Sequence, residues 1–371
     1  MTKQLEFVIF WIAMLALMIV SLYHNKFSRK GQKYIVFLFF VVFTLMFSYR
    51  TLGLDLVNYE TYYKNVNISA LHKLDIKNML SNEYEPFFTL IVLLAKKYQL
   101  TFNQWLLIVV SIPSLLFFFY ITKKSRFPLI TYMLFMLVMM FQFDLIRLML
   151  AFPFLMIAFN SHNKCTKAIC YGVAFGFHYT SIVLLLCEIA MKVKWKRKGL
   201  LILFAAIIGV GCFIKFSDLT FLQNSEFRIL FKLQLYLNTT AREFDGNIVF
   251  YLLFIAINLY PTCMSYFLLK KMQNIGMEGL LGDAEDNKKI IDTMKVGVFA
   301  CIMIALLFSS PQMVFRIQIL TYFMVFMPLT EPIRKGIQSG TVSRNAFAIL
   351  ASLFMYNIFM TMYYVTMSIV Y

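Results

Sequence analysis

The chain has 371 residues, 61% of them apolar and only 14% charged. A water-soluble domain of that length has no way to hide so much apolar surface, whereas lipid accepts it. The net charge of +17 would suit nucleic acid in a soluble protein, but in a membrane chain it fits Lys and Arg gathered in cytoplasmic loops, and nucleic-acid binding is set aside.

The apolar residues fall in runs of about 20, long enough to span a bilayer, and do not alternate apolar with polar as a porin-type barrel would. The expected fold class is all-α, a polytopic integral membrane protein. In chain order the spans are 5–23, 34–49, 104–121, 128–145, 147–161, 199–216, 247–269, 296–310, 316–333 and 345–368. The first lacks a small-residue cleavage site and reads as a helix rather than a removed signal peptide. Residues 84–95 (YEPFFTLIVLLA) would reach only about 18 Å, short of a core of about 30 Å, and read as re-entrant or interfacial. Residues 167–192 read as one long span or as two short helices breaking near His178.

Charge decides the threading. With 84–95 kept on the outer side and 167–192 going up and back, most of the 35 Lys and Arg side chains fall on the inside. They lie in segments 24–33, 122–127, 161–168, 192–198, 270–295 and 334–344. This gives a single multi-span domain over 1–371, with about twelve membrane helices counting the short segments. Both termini are outside, and the long outer loops lie near 50–103 and 215–246. The six cysteines lie in or beside apolar runs with no CxxC pair, so they read as core residues. The acidic DAED at 283–286 has no nucleotide-binding domain around it and reads as a solvated linker.

This threading places several ionisable groups at one face, and such groups at membrane depth are costly and point to function. The first cluster is Arg50-Thr-Leu-Gly53-Leu-Asp55-Leu-Val-Asn58-Tyr59. A helix starting after Asp55 could be capped by it and would put Asp55, Tyr59 and Tyr62 on one face. A turn at Gly53 would let Arg50 point back towards that face. An arginine fork beside a carboxylate and phenols suits a phosphate carrying a sugar; the plainer reading is a helix anchor paired with Asp55. In the second cluster Asp144 and Arg147 are i, i+3 neighbours, either an ion pair at a turn or the start of a functional helix. The third, Gly172-Val-Ala-Phe-Gly176-Phe-His178-Tyr-Thr180-Ser181, offers a small-xxx-small packing face that would hold His178 inside the protein. In the fourth, Pro311 ends one run and Arg316 begins the next. Arg228, with Lys232, Tyr236 and Arg242, lies in an outer segment with helical apolar spacing, suited to gating a groove or lying on lipid.

The order Arg50-x-x-Gly53-x-Asp55-x-x-x-Tyr59, Glu85-Pro86-Phe87, Leu145-Ile-Arg147-x-x-x-Ala151, Ala174-Phe-Gly-Phe-His178-x-Thr-Ser181 and Arg316 with Tyr322-Phe323 resembles the EpsG family of bacterial polysaccharide polymerases, related in role to Wzy O-antigen and capsule polymerases. Leu148 follows Arg147 where that family commonly has Gln. The resemblance implies a GT-C-like glycosyltransferase in the bacterial cytoplasmic membrane, with its site facing outside. It would move a glycan from undecaprenyl diphosphate to the sugar end of a second lipid-linked repeat. It would use no cofactor or metal, and it would have a chain-length regulator protein as partner.

Within that chemistry Arg147 and Arg316, with Arg50 third, are expected to stabilise the departing diphosphate. Asp55, Glu85 and His178 are the candidate bases. The favoured split has His178 on the donor diphosphate or acting as base, with Asp55 on the acceptor sugar. Tyr59, Tyr62 and Tyr63 are expected to stack on sugar faces. The rival readings are a lipid-linked-oligosaccharide flippase, an O-antigen-ligase-type enzyme and a glycan acyltransferase. A flippase would need charges lining a path through the membrane, and Glu188 is the main group away from the outer face.

Overall fold

A computed structural model describes residues 3–51, 53, 55–67, 84–139, 145–192, 205–206 and parts of 330–358. The expected spans at 199–216, 247–269, 296–310 and 316–333 lie wholly or mostly outside the described residues. So do the loop at 215–246, Asp144, Arg228 and Arg316.

The described part is helical, apart from a two-residue antiparallel pair, β1 (Ile337–Gln338) with β2 (Thr341–Val342). The helices are α1 (Lys3–Leu22), α2 (Arg29–Ser48), α3 (Leu56–Asn65), α4 (Pro86–Lys97), α5 (Phe102–Lys124), α6 (Pro128–Met139), α7 (Ile146–Asn160), α8 (Lys164–Phe177), α9 (Ser181–Lys192) and α10 (Ala346–Tyr356). Their boundaries follow local chemistry. Ser28 accepts from Gly31 N at the start of α2, and Asn163 caps α8 through Cys165 N and Thr166 N. Thr101 and Gln104 form a reciprocal capping box on α5. Glu85 is held extended because Pro86 follows it, and that proline occupies the first turn of α4, where no amide hydrogen is needed. The far end of α4 closes with Gln99 in the left-handed region (φ 55°), Gln99 N on Lys96 O and Leu100 N on Ala95 O.

α2 and α5, of 20 and 23 residues, are long and apolar enough to cross a bilayer. α6 is buried on all sides through Leu129, Met133, Phe135 and Leu137, and α1, α2 and α5 pack against it. α1 turns Leu5, Val8, Ile12 and Ile19 outwards, and α2 turns out Tyr34, Phe37 and Leu38. Those apolar faces are costly in water and need no cover in lipid.

α7, α8 and α9 follow as consecutive hairpins, and α4 lies across α8. The 167–192 region is two helices, since α8 ends at Phe177 and α9 starts at Ser181, with His178 extended between them. The 84–95 region is a short helix whose Phe88, Thr89, Val92 and Leu93 are buried against the bundle. Of the two expected packing glycines only Gly176 makes a close approach. A Cβ there would stand 2.4 Å from the Phe87 ring, whereas one on Gly172 would meet nothing within 4 Å. The small-xxx-small face is therefore a single notch for α4.

The opposite end of the bundle is tied by its own polar contacts. Arg29 Nη2 donates to Ser125 O at 3.3 Å, and the Ser125 hydroxyl meets Thr131 Oγ1 at 2.6 Å. Thr131 in turn lies 3.1 Å from Thr330 Oγ1. Burial of His24, in the turn between α1 and α2, holds its imidazole below the usual histidine range.

Candidate active site

Glu85, Arg147 and His178 meet at one end of the bundle, all buried, with Glu85 only 2% exposed. Arg147 Nη1 donates to Glu85 Oε2 at 2.6 Å, and His178 Nδ1 lies 3.3 Å from Glu85 Oε1. Both carboxylate oxygens are therefore engaged. The guanidinium also sits 4.7 Å from the centre of the Tyr84 ring and 5.8 Å from that of Tyr59, and its Nε donates to the Tyr59 hydroxyl at 3.4 Å. A buried ion pair with this support is costly to break, about 3–5 kcal/mol when one partner is removed.

Helix geometry accounts for the pairing. Glu85 immediately precedes α4, where the amide dipoles favour a carboxylate. Arg147 is the second residue of α7, where the same field disfavours a cation unless an anion stands by. His178 follows the last residue of α8, at that helix's carbonyl end. The first turns of α4 and α7 thus bring positive charge to a region that also holds a fixed guanidinium, and Glu85 is the anion there. Two and three residues after His178, Thr180 Oγ1 and Ser181 Oγ are buried with no hydrogen-bond partner among the described residues.

Several expectations change here. Arg147 takes Glu85 as partner, whereas the Asp144 pairing lies outside the described residues. Asp55 holds the N-cap position of α3 but makes no capping bond through its side chain, so it does not close that helix as expected. Gly53 has φ 156°, a value that favours glycine at the turn. Arg50 Nη1 donates to Phe47 O at 2.7 Å, binding the carbonyl end of α2. The tyrosines are mostly not a sugar platform. Tyr59 (2% exposed) is buried under Arg147, and Tyr63 is buried against Trp105 with its hydroxyl on Leu100 O at 2.6 Å. Tyr62, half-buried with its hydroxyl 3.0 Å from Thr89 Oγ1, is the one of the three with ring surface left for a ligand. Leu148, where the resemblance expects Gln, is a buried packing residue.

The sequence reading missed Tyr84 and Glu6. Tyr84 immediately precedes Glu85 and completes the aromatic wall around the guanidinium. Glu6 accepts hydrogen bonds from Thr51 in the turn after α2. Among the described residues no group of three or more His, Cys, Asp or Glu side chains is placed to hold a metal ion.

The profile of the EpsG family matches residues 33–370. No curated protein and no solved structure matches the chain. The chain belongs to the EpsG family, the family of Wzy/EpsG-type polysaccharide polymerases, and with its apolar helices it is a membrane protein.

Proposed function

We propose that this EpsG-family chain polymerises lipid-linked oligosaccharide repeats at the outer face of the bacterial cytoplasmic membrane. The donor is a glycan on undecaprenyl diphosphate, and the acceptor is a hydroxyl at the sugar end of a second lipid-linked repeat. The acceptor oxygen attacks the anomeric carbon as the bond from that carbon to the phosphate oxygen breaks. Undecaprenyl diphosphate leaves with the bonding electron pair, and the acceptor proton passes to the protein.

The observation that carries this reading is the bridge made by Glu85 between Arg147 and His178. Negative charge on the leaving diphosphate grows in the transition state, so a guanidinium fixed in advance at a helix start contributes most there. Arg147 takes that role, with Arg316 and Arg50 as further phosphate ligands and Arg228 at the outer approach. Glu85 on Nδ1 orients the imidazole so that Nε2 can accept the acceptor proton. His178 is then the base, and Glu85 is its orienting partner and the stand-in for the phosphate anion. Asp55 and Tyr62 bind the acceptor sugar, and the Thr180 and Ser181 hydroxyls donate to donor phosphate or sugar. The whole chain is a single GT-C-like domain of about twelve helices with both termini outside, working with a chain-length regulator and needing no metal.

The test uses purified full-length protein in liposomes, given an undecaprenyl-diphosphate-linked repeat, with EDTA present. The expected product is a ladder of lengthening glycans with release of undecaprenyl diphosphate. Movement of the intact lipid-linked repeat across the bilayer with no chain growth would instead make the protein a flippase. Growth that requires added metal would overturn the electrostatic role given to the arginines.

A further inference from the structure

The family match begins at residue 33, yet α1, which precedes it, reaches Thr51 just after α2. Glu6 lies in the first turn of α1 and is buried, and Thr51 engages both of its carboxylate oxygens. Thr51 N lies 3.0 and 2.9 Å from Glu6 Oε1 and Oε2, and Thr51 Oγ1 donates to Oε2 at 2.7 Å. Bonds of this kind to an ionised carboxylate are about twice as strong as neutral ones. A carboxylate in the first turn of a helix is also favoured by the helix dipole.

Thr51 follows Arg50 and lies between α2 and Asp55, the N-cap of α3. α3 then carries Tyr59 to the Arg147 guanidinium. Thr51 lies outside any helix, so its backbone takes its placement from what holds its amide, and Glu6 holds it.

We infer that Glu6 is a positioning residue of the transfer site: by clamping Thr51 it sets where Arg50, Asp55 and α3 stand, so that the N-terminal helix becomes part of the active architecture. The inference rests on the polymerase reading for its effect on turnover, but not for its effect on the turn.

The experiment pairs two readouts on the full-length protein in liposomes. Hydrogen exchange follows residues 51–58 and, as an internal control, 86–97. Polymerisation of an undecaprenyl-diphosphate-linked repeat is followed as kcat and KM for the acceptor. Glu6→Ala should speed exchange at 51–58 at least about tenfold while 86–97 is unchanged. It should also lower kcat/KM by about 10- to 100-fold, as expected for a misplacement near 1 Å. Thr51→Val should reproduce part of the loss, and Thr51→Ser, which keeps the hydroxyl donor, should restore it. Thr51→Val added to Glu6→Ala should cost little more, because the two residues share one interaction. Unchanged exchange at 51–58 in Glu6→Ala overturns the inference whatever the activity, and so does full activity alongside a loosened turn. A wild-type protein that makes no polymer overturns the polymerase reading alone, and the exchange result then still decides whether Glu6 holds the turn.

Discussion

Two buried carboxylates, Glu85 and Glu188, each hold a cation and a third group, yet they are built differently. Glu188 on α9 pairs with Lys167 and accepts from the Tyr171 hydroxyl at 2.7 Å, both from the adjacent α8. All three lie within one hairpin, so the cluster forms wherever that hairpin folds. Glu85 draws Arg147 from 62 residues away and His178 from 93, and so forms only when α4, α7 and the α8–α9 break are assembled. Glu188 is satisfied by a flexible ammonium and a phenol, which makes it a staple. Glu85 is satisfied by a rigid fork at a helix start and by an imidazole that can exchange a proton, which is what a reaction centre needs.

The sharpest way to break this contrast is Arg147→Lys. An ammonium keeps the charge but loses the fork, so chain growth should fall by about 100-fold or more at unchanged protein level. Wild-type polymerisation by the Lys variant would remove the reason to separate the two clusters. Glu85→Gln comes next. The amide can no longer balance the guanidinium or orient the imidazole as a carboxylate does, and kcat should fall by about 100-fold with the helical content retained by circular dichroism.

Gly176→Ala tests the same centre from its packing. The added methyl meets the Phe87 ring, next to Pro86 and Glu85, and should push α4 off α8. About a tenfold loss of kcat/KM is expected, whereas Gly172→Ala, with open space around it, should behave as wild type. Glu188→Gln should show the opposite balance. Thermal unfolding in detergent should report about 2 kcal/mol of lost stability, while kcat/KM stays within about threefold of wild type. A Glu188→Gln variant that is stable but inactive would move Glu188 into the reaction centre. The smallest effect belongs to Tyr62→Phe, which loses one hydroxyl contact to Thr89 and should cost about 1 kcal/mol or less.

Much of this was readable along the chain because its causes are local. Apolar runs, the proline after Glu85, the Thr101–Gln104 box and the glycine turn at Gly53 each act within a few residues, so α2, α4, α5 and the start of α3 could be placed from sequence. The break at His178 was visible because charge balance required the chain to turn back there. Ionisable residues stand out against an apolar background, which picked out Arg50, Glu85, Arg147 and His178 as candidates.

Sequence by itself thus determined that this is a helical membrane chain and which polar side chains are out of place in one. Only the tertiary structure decided what each of them touches. It set Glu85 between Arg147 and His178, buried Tyr59 and Tyr63 as walls, and brought Glu6 to Thr51 across 45 residues. The physical reason is range. Hydropathy and capping act along the chain, whereas an ion pair between distant helices depends on which faces pack together, as at Gly176 where the absence of a side chain lets α4 approach α8.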